Sequence, residues 1–460
     1  MKMMDSWKRA TLCAALLALA GTGVAQATTK DGLVDQQMLG IAANQQFGSL
    51  LNVQGDFNHD GIPDLVVGSP AGTDMRGAVD IFYGKAKGVA QQAAFHYEGT
   101  MAWAQVGASP VVADVNGDGY PDLIVGASNY SGVQQYSGGV LVFFGKEHGV
   151  SAEPKQILEG PSTNSFFGFR IRSLGDFNHD GYDDIAVGAM GANGSLGQIY
   201  IFKGGPKGLK KKPVSTLAGA APWIYFGQIF DVGDVNGDGI ADIIVGAGSP
   251  TGGIPGMAWI YHGTPTGYAN RDETLFAPVA LDDTARFGDN VTFLGDVDGD
   301  GFGDIAVGAP RYYGDAQNSG MVSVFYGGAS GPSGAARTQV ITAGSSKMLY
   351  LGDNLLGQRD FNGDGYPDLV VGTSSFARPN DQTQPFPGAV WVYRGTPTGF
   401  DTTHIYKLNG AKNTRDEFGM SLEVGDVNGD GAPDLLTGSG VYSDTISQQG
   451  VVRVIFGVPK

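Results

Sequence analysis

Residues 56–64 read DFNHDGIPD, and six close variants of this acidic segment follow along the 460-residue chain. A fixed period of this size indicates a repeat architecture, in which each unit buries its apolar face against its neighbours. Seven such units fill the chain from about residue 33 to residue 460 and leave no room for a second domain. The segments start at Asp56, Asp114, Asp176, Asp234, Asp296, Asp360 and Asp426, with spacings of 58, 62, 58, 62, 64 and 66 residues.

Each unit has the same internal order of motifs. A Phe-Gly pair precedes the acidic segment in five units, and Val-Gly at 106–107 and Leu-Gly at 351–352 replace it in the other two. After the acidic segment comes an apolar run, such as LVV at 65–67, which ends at glycine and small residues. A second run, such as GGVLVFFG at 138–145, and a weaker one, such as QILEG at 156–160, lead to the next unit. This order predicts four short strands per unit, which is the composition of a propeller blade.

The apolar runs and the two chain ends together predict the fold class. The run after each acidic segment is apolar at consecutive positions, so both of its faces are expected to be buried, and helical spacing is absent. The seventh unit stops at its third strand, residues 451–456, while residues 33–40 (LVDQQMLG) resemble the missing fourth strand. We therefore predict an all-β, seven-bladed β-propeller of four-stranded blades. The N-terminal strand would close the ring and remove an open sheet edge.

The acidic segments have the ligand pattern of calcium loops. Oxygen-bearing side chains stand at positions one, three, five and nine, and the backbone carbonyl at position seven can add a further ligand. Calcium takes six to eight oxygens, whereas magnesium prefers smaller sites with retained waters. Glycine at position six permits the sharp reversal between ligands. No His or Cys is placed as a ligand, which disfavours zinc and copper.

We therefore predict up to seven structural Ca²⁺ ions held in strand–loop–strand sites, which take 22 of the 46 acidic residues. The predicted ligands are Asp56, Asn58, Asp60, Ile62, Asp64, Asp114, Asn116, Asp118, Tyr120, Asp122, Asp176, Asn178, Asp180, Tyr182, Asp184, Asp234, Asn236, Asp238, Ile240, Asp242, Asp296, Asp298, Asp300, Phe302, Asp304, Asp360, Asn362, Asp364, Tyr366, Asp368, Asp426, Asn428, Asp430, Ala432 and Asp434.

The N-terminal segment is typical of an export signal. Lys2, Lys8 and Arg9 precede the apolar residues 10–19, and Ala-Gln-Ala at 25–27 fits a cleavage site. Residues 1–27 are therefore predicted to be a signal peptide and residues 28–460 a single exported propeller, released, periplasmic or surface-held. No other apolar run approaches the roughly 20 residues of a transmembrane helix. The single cysteine lies inside the signal segment, so metal ions are the expected brace of a chain without disulfides.

The order of Phe-Gly, acidic loop and Gly-Ala-Pro resembles the FG-GAP repeat of integrin α-subunit propellers and related bacterial proteins. The resemblance covers the whole predicted mature chain, and it implies seven blades with calcium loops on the lower rim. Integrin propellers have such loops in only some blades, whereas here all seven units have one. The leg domains, the transmembrane helix and the inserted ligand-binding domain of some integrins have no counterpart in this sequence.

The loops opposite the acidic segments are the candidate ligand face, because successive antiparallel strands send alternate connections to opposite ends. Clustered Tyr, Trp and Arg is the composition of interaction hot spots, although aromatic residues in long loops also cover the core. A secreted recognition or adhesion module for a protein or glycan partner is the favoured function. The candidate residues are Trp103, Tyr130, Tyr136, Trp223, Tyr225, Arg311, Tyr312, Tyr313, Phe376 and Arg378.

A lyase-like, polysaccharide-degrading propeller enzyme is the alternative function. The sequence offers no catalytic residues for it: the six His residues fall at unrelated repeat positions, and no triad, phosphate loop or zinc motif is found. His59 and His179 are expected to face solvent from their acidic loops. With a net charge of −17 and one short basic turn at 210–212, nucleic-acid binding is not expected. We predict a protein that is not an enzyme.

Overall fold

Seven four-stranded antiparallel sheets build the chain in the computed structural model. The structure describes residues 36–457, apart from 220–224, 249–255, 269–272, 282–283, 315–317, 333–337, 344–348, 374–387, 404–405, 411–416 and 445. The predicted all-β, seven-bladed propeller of four-stranded blades is confirmed. The signal segment at 1–27 lies outside the described residues.

Each blade takes its first, second and third strands from one repeat, in sequence order. The first strands of blades one to seven are Leu50–Gly55, Val106–Ala113, Phe167–Gly175, Phe230–Gly233, Asn290–Gly295, Asn354–Arg359 and Ser421–Gly425. The second strands are Asp64–Ser69, Asp122–Ala127, Asp184–Ala189, Asp242–Ala247, Asp304–Ala309, Asp368–Thr373 and Asp434–Ser439. The third strands are Ala78–Phe82, Gly139–Phe143, Gln198–Phe202, Met257–Tyr261, Met321–Phe325, Ala389–Tyr393 and Val451–Ile455. The fourth strands are Phe95–Glu98, Gln156–Glu159, Ser215–Ala218, Glu273–Leu275, Thr338–Thr342, Tyr406–Asn409 and, from the N-terminal segment, Gln36–Leu39.

The N-terminal strand closes the ring, as the sequence predicts. Gln36 pairs with Val454 and Leu39 pairs with Val451, so this strand is the fourth strand of blade seven. The first strands of neighbouring blades contact one another around the whole ring, including those of blades seven and one. These first strands line a central channel.

The hydrophobic core lies between the blades. The second strand of every blade is buried at all six positions. Among the described residues, the buried apolar side chains form seven clusters, each shared by two neighbouring blades. Leu65 of blade one and Leu436 of blade seven, for example, pack in the same cluster. Full burial of such a side chain contributes about 1.5–3 kcal/mol, so the contact between blades is a main source of stability.

Two glycines of each repeat allow neighbouring blades to approach closely. A Cβ atom at Gly308, near the end of the second strand of blade five, would collide with the backbone oxygen of Gly352 in the Leu-Gly pair of blade six. The same collision recurs between all successive blades, and between Gly438 and Gly48 it joins the last blade to the first. The paired glycines of the repeat are therefore a packing requirement of the ring.

The residue before each Phe-Gly pair, or its replacement, adopts a left-handed conformation that the sequence does not signal. Its φ lies between +48° and +58° in all seven blades, although none of these residues is glycine. The residues are Gln46, Gln105, Phe166, Tyr225, Arg286, Tyr350 and Glu417.

Irregular elements are few in the described part of the chain. A 3₁₀ turn at Thr73–Met75 and a four-residue helix at Ala192–Ser195 lie in loops between second and third strands. A small two-stranded hairpin, Gly84–Lys85 with Gly88–Val89, follows the third strand of blade one. Within the described residues, no helix combines the length and the apolar character needed to cross a bilayer.

Candidate metal centres and binding face

The seven acidic loops lie at one end of the propeller, which we call the acidic-loop face. Each loop connects the first strand of its blade to the second, so the repeat places it at the same end every time. The glycine at position six has a positive φ in all seven loops, from +84° to +98°, a conformation that side chains resist. The predicted sharp reversal is therefore present in each loop.

The first aspartate of each loop organises the turn around it. Its carboxylate accepts a hydrogen bond from the backbone N–H of the position-six glycine at 2.7–2.9 Å in all seven loops. In six loops the aspartate at position five likewise accepts a hydrogen bond from the backbone N–H of position seven. These bonds hold both carboxylates over the loop and leave other lone pairs on each oxygen.

The aspartate at position nine of each loop is buried, and it connects the loop by a hydrogen bond to the glycine that follows the third strand of its blade. In blade one, Asp64 is 0% exposed, and its Oδ1 accepts the N–H of Gly84 at 2.9 Å while its Oδ2 accepts that of Phe57 at 2.7 Å. The bond to the glycine after the third strand recurs in all seven blades, at 2.7–2.9 Å. Each of these carboxylates still has lone pairs available for a cation.

Burial raises the pKa of all seven ninth-position carboxyls. It brings the pKa to about 7 for Asp64, Asp122, Asp304 and Asp434. The pKa rises to about 6 for Asp184, Asp242 and Asp368. Backbone hydrogen bonds oppose these increases, but burial outweighs them. A nearby cation would therefore stabilise the ionised form of each group.

The fifth loop brings three carboxylates together closely enough to share one cation. Oxygens of Asp296, Asp298 and Asp304 lie within 4.8 Å of one another. Two oxygens bound to one calcium ion at 2.3–2.6 Å can be separated by at most about 5 Å, so this spacing fits. Within the described residues, this is the one group of three or more acidic, His or Cys side chains with such convergence.

The other six loops have Asn at position three, and four of these amides reach the ninth aspartate. The Nδ2 atom lies 2.6–3.4 Å from that carboxylate in loops two, three, six and seven. Turning the amide over would replace its nitrogen with its oxygen in nearly the same place. Positions three and nine therefore meet where a calcium ligand pair is predicted. The role of the backbone carbonyls at position seven as calcium ligands stays a prediction.

The residue directly after the third strand makes the seven loops unequal, and the sequence analysis missed this. In blade six, Arg394 donates from Nε to the carboxylate of Asp364 at 2.8 Å. In blade four, His262 lies 3.2 Å from Asp242 and 3.1 Å from Glu273. The corresponding residues of blades one to seven are Tyr83, Phe144, Lys203, His262, Tyr326, Arg394 and Phe456. Comparison of this one position across the repeats would have revealed the difference.

The opposite face carries the predicted ligand-binding residues that the structure describes. Loops of neighbouring blades meet there: the N–H of Trp103 donates to the carbonyl of Asp74 at 2.8 Å. Trp103 is 58% exposed and Tyr313 61% exposed, and Arg311 is also exposed. Tyr130 and Tyr312 pack against the core.

Among the remaining candidates, Tyr136 and Tyr225 are half-buried. Trp223, Phe376 and Arg378 lie outside the described residues. His59 and His179 are exposed on the acidic-loop face, as the sequence predicts.

Two sequence-family models match the chain. The model described as "FG-GAP-like repeat" matches residues 56–125 and 360–437, and the model described as "FG-GAP repeat" matches residues 173–202, 226–261 and 287–325. These segments contain all seven acidic loops and parts of all seven blades.

Three similar proteins are integrin α-subunits. Integrin alpha-5 of Xenopus laevis is 34% identical over 206 residues, which cover 42% of this chain and 19% of that protein. Integrin alpha-PS2 of Drosophila melanogaster is 31% identical over 245 residues, or 50% and 17% of the two chains. Integrin alpha-3 of Cricetulus griseus is 40% identical over 124 residues, or 26% and 12%. The matched region spans less than a fifth of each relative, and these relatives give the lyase alternative no support.

Proposed function

Because this chain is an FG-GAP repeat protein with an integrin α-like β-propeller, we propose that it is an exported recognition or adhesion module braced by calcium. Its acidic loops would hold the metal, and its opposite face would contact an extracellular protein or glycan. Residues 1–27 would serve as the signal peptide and residues 28–460 would form the single mature domain. We propose no catalytic residues.

The calcium proposal is carried by the seven buried ninth-position aspartates. Each has a pKa raised by burial, and the carboxylates of the fifth loop converge. In each loop, the side chains at positions one, three, five and nine and the seventh carbonyl would be the ligands. Calcium would neutralise these groups and fix the turn between two core strands, which is a structural role.

The recognition proposal is supported by the exposed aromatic side chains of the opposite face. Trp103 and Tyr313 are each more than half exposed on loops that blade packing holds in place. Large, rigid aromatic groups contribute much contact area at low cost in conformational entropy, and they also stack on sugar rings. Acidic loops committed to metal leave this face as the proposed binding surface.

Replacing Trp103 and Tyr313 together by Ala tests the proposed face. We expect the double variant to bind a glycan array or immobilised extracellular-matrix proteins at least about tenfold more weakly, since interface aromatics contribute about 2 kcal/mol or more each. Ile157→Ser is the matched control, because Ile157 is exposed at 46% in the outer strand of blade two, away from the face. Equal binding by wild type and double variant would exclude this face. Release of unsaturated sugar products when the protein is incubated with acidic polysaccharides would exclude the non-enzymatic role.

The ion pair in blade six makes a separate prediction about the proposed calcium sites. Although burial opposes the effect, the hydrogen bond from Arg394 lowers the pKa of Asp364. The guanidinium therefore competes with a metal ion for a predicted ligand, and loop six should bind calcium most weakly. Arg394→Tyr places there the residue found in blades one and five, and should tighten the weakest site by about tenfold in a calorimetric calcium titration.

Lys407→Gln is the control for this variant, because it removes the same charge from the same blade. Lys407 lies over the ring of Trp391, at 4.3 Å from its centroid, away from the acidic loop. We expect its titration to match that of the wild type. A weakest site that is unchanged in Arg394→Tyr would show that Arg394 does not compete with calcium.

A further inference from the structure

The central channel concentrates positive charge inside an acidic protein. The chain has a formal net charge of −17, yet three arginines line the channel: Arg170 and Arg172 of blade three and Arg359 of blade six. Two acids, Asp231 of blade four and Glu423 of blade seven, line it as well. Its cavity volume of about 590 Å³ falls within the range of pockets that bind small molecules.

One of the two acids is already committed to a structural role. Asp231 accepts a bond from Arg172 Nε at 2.7 Å, and its other oxygen accepts from the hydroxyl of Thr292 at 3.2 Å and the N–H of Phe293 at 3.0 Å. This network joins the first strands of blades three, four and five. Among the described residues, Asp231 therefore forms its ion pair with Arg172, and it acts on Arg170 only as a more distant negative charge.

Arg170 has most of its hydrogen-bonding capacity unused. In the part of the chain that the structure describes, its guanidinium makes one hydrogen bond, from Nε to the carbonyl of Phe230 at 3.3 Å, and no ion pair. A guanidinium has five N–H donors, so four remain. Arg170 and Arg172 are two residues apart on one strand, and both line the channel. Joining the first strands of neighbouring blades requires only the ion pair of Arg172 with Asp231, and not a second positive charge at Arg170.

The energetics of these charges also favour an anion. Burial, with a further contribution from Arg172, lowers the pKa of Arg170 to about 9. Burial raises the pKa of Glu423 to about 7, although Arg359 and Arg172 oppose this. Among the described residues, Glu423 forms no ion pair within 4 Å. Blade seven is as far from blade three as the ring allows, so Glu423 lies across the channel from Arg170 and Arg172, whereas Arg359 belongs to the adjacent blade six.

We propose that the channel binds a compact oxyanion, a carboxylate or sulfate group of a small ligand, through Arg170 and Arg172. The planar guanidinium matches such groups with two parallel hydrogen bonds. The bound anion would occupy the unused donors of Arg170 and compensate the second positive charge. Glu423 is an internal anion that weakens this binding when it is ionised. The site is independent of the proposed calcium loops and of the opposite-face aromatics.

Calorimetric titration with sodium sulfate and with sodium succinate, at constant ionic strength and calcium, tests the proposal. We expect wild-type protein to bind at least one of the two probes, and the stronger probe identifies the preferred group. Arg170→Gln should weaken that binding by at least about tenfold, because a charge-assisted bidentate contact is lost. Lys212→Gln, which removes the same charge from an exposed turn, should leave it unchanged.

Glu423→Gln provides a test in the opposite direction, which a folding defect cannot imitate. At pH 8 this variant should bind sulfate about fivefold more tightly than the wild type, because the repelling carboxylate is gone. Wild-type affinity for sulfate should rise as the pH falls from 8 to 6, while that of Glu423→Gln should stay nearly constant. The proposal would be overturned if neither sulfate nor succinate binds at millimolar concentration. It would also be overturned if sulfate affinity increases neither in Glu423→Gln nor in the wild type at lower pH.

Discussion

Chelation with EGTA is expected to lower the melting temperature of this protein by about 5–15 °C. With the dissociation constants of about 10⁻⁴–10⁻³ M that are typical of extracellular modules, each proposed site would contribute roughly 1 kcal/mol at millimolar calcium. Several such sites together would contribute several kcal/mol. Their loss would also leave seven buried carboxyls without a compensating cation, at positions where burial raises the pKa to about 6 or 7.

Differential scanning calorimetry in calcium, in EGTA, and after calcium is added back measures this effect. If the melting temperature returns to its original value after calcium is added back, the shift is due to the metal. Magnesium at equal concentration should restore less of the melting temperature, because it retains its bound waters. A melting curve that is the same in calcium and in EGTA would contradict a structural role for the ion.

Gly308→Ala is expected to destabilise the propeller by about 2–4 kcal/mol. The added Cβ collides with the backbone oxygen of Gly352 in the next blade, and a backbone atom cannot rotate away as a side chain can. The two blades must separate locally, which also loosens the apolar cluster that they share around Leu294 and Leu351. Urea denaturation measures the change in the free energy of unfolding.

Gly328→Ala in the same blade is the matched control. A Cβ there would meet nothing closer than the Gly331 oxygen at 3.7 Å, and Gly328 does not have a positive φ. We expect this substitution to change stability by less than about 0.5 kcal/mol. Comparable losses in both variants would show that the loss does not come from the contact between Gly308 and Gly352, and that the ring does not need this close approach.

The seven blades, their strand order and the ring closure could be predicted from the sequence, because these features depend on local patterns repeated seven times. An apolar run such as residues 65–67 specifies a buried strand without reference to any distant residue. Residues 33–40 could be assigned to blade seven because that repeat lacked one strand. Repetition thus converts weak local signals into a specific topology.

Contacts between different repeats could not be predicted in the same way. The pairing of Arg394 with Asp364 joins residues 30 positions apart and depends on where the third strand ends. Arg170 and Glu423 line the same channel only because closure of the ring places blades three and seven around one axis. The left-handed residue before each Phe-Gly pair includes Phe166 and Tyr350, whose side chains give no hint of that conformation.

The exposed aromatic residues show a similar limit. The sequence placed Trp103 and Tyr130 on one face, but burial separates them: Trp103 is 58% exposed, whereas Tyr130 packs against the core. Which of two loop aromatics is available to a partner depends on the packing of the neighbouring blade, and composition does not encode that directly.

Counting the metal ions bound to each chain is the most direct test of the central proposal that the acidic loops are calcium sites. Native mass spectrometry of protein dialysed against millimolar calcium should show about six or seven calcium ions per chain, with one more readily lost than the others. The Asp304→Asn variant, which alters the convergent fifth loop, should show one ion fewer. A wild-type chain with no bound calcium under these conditions would contradict the account.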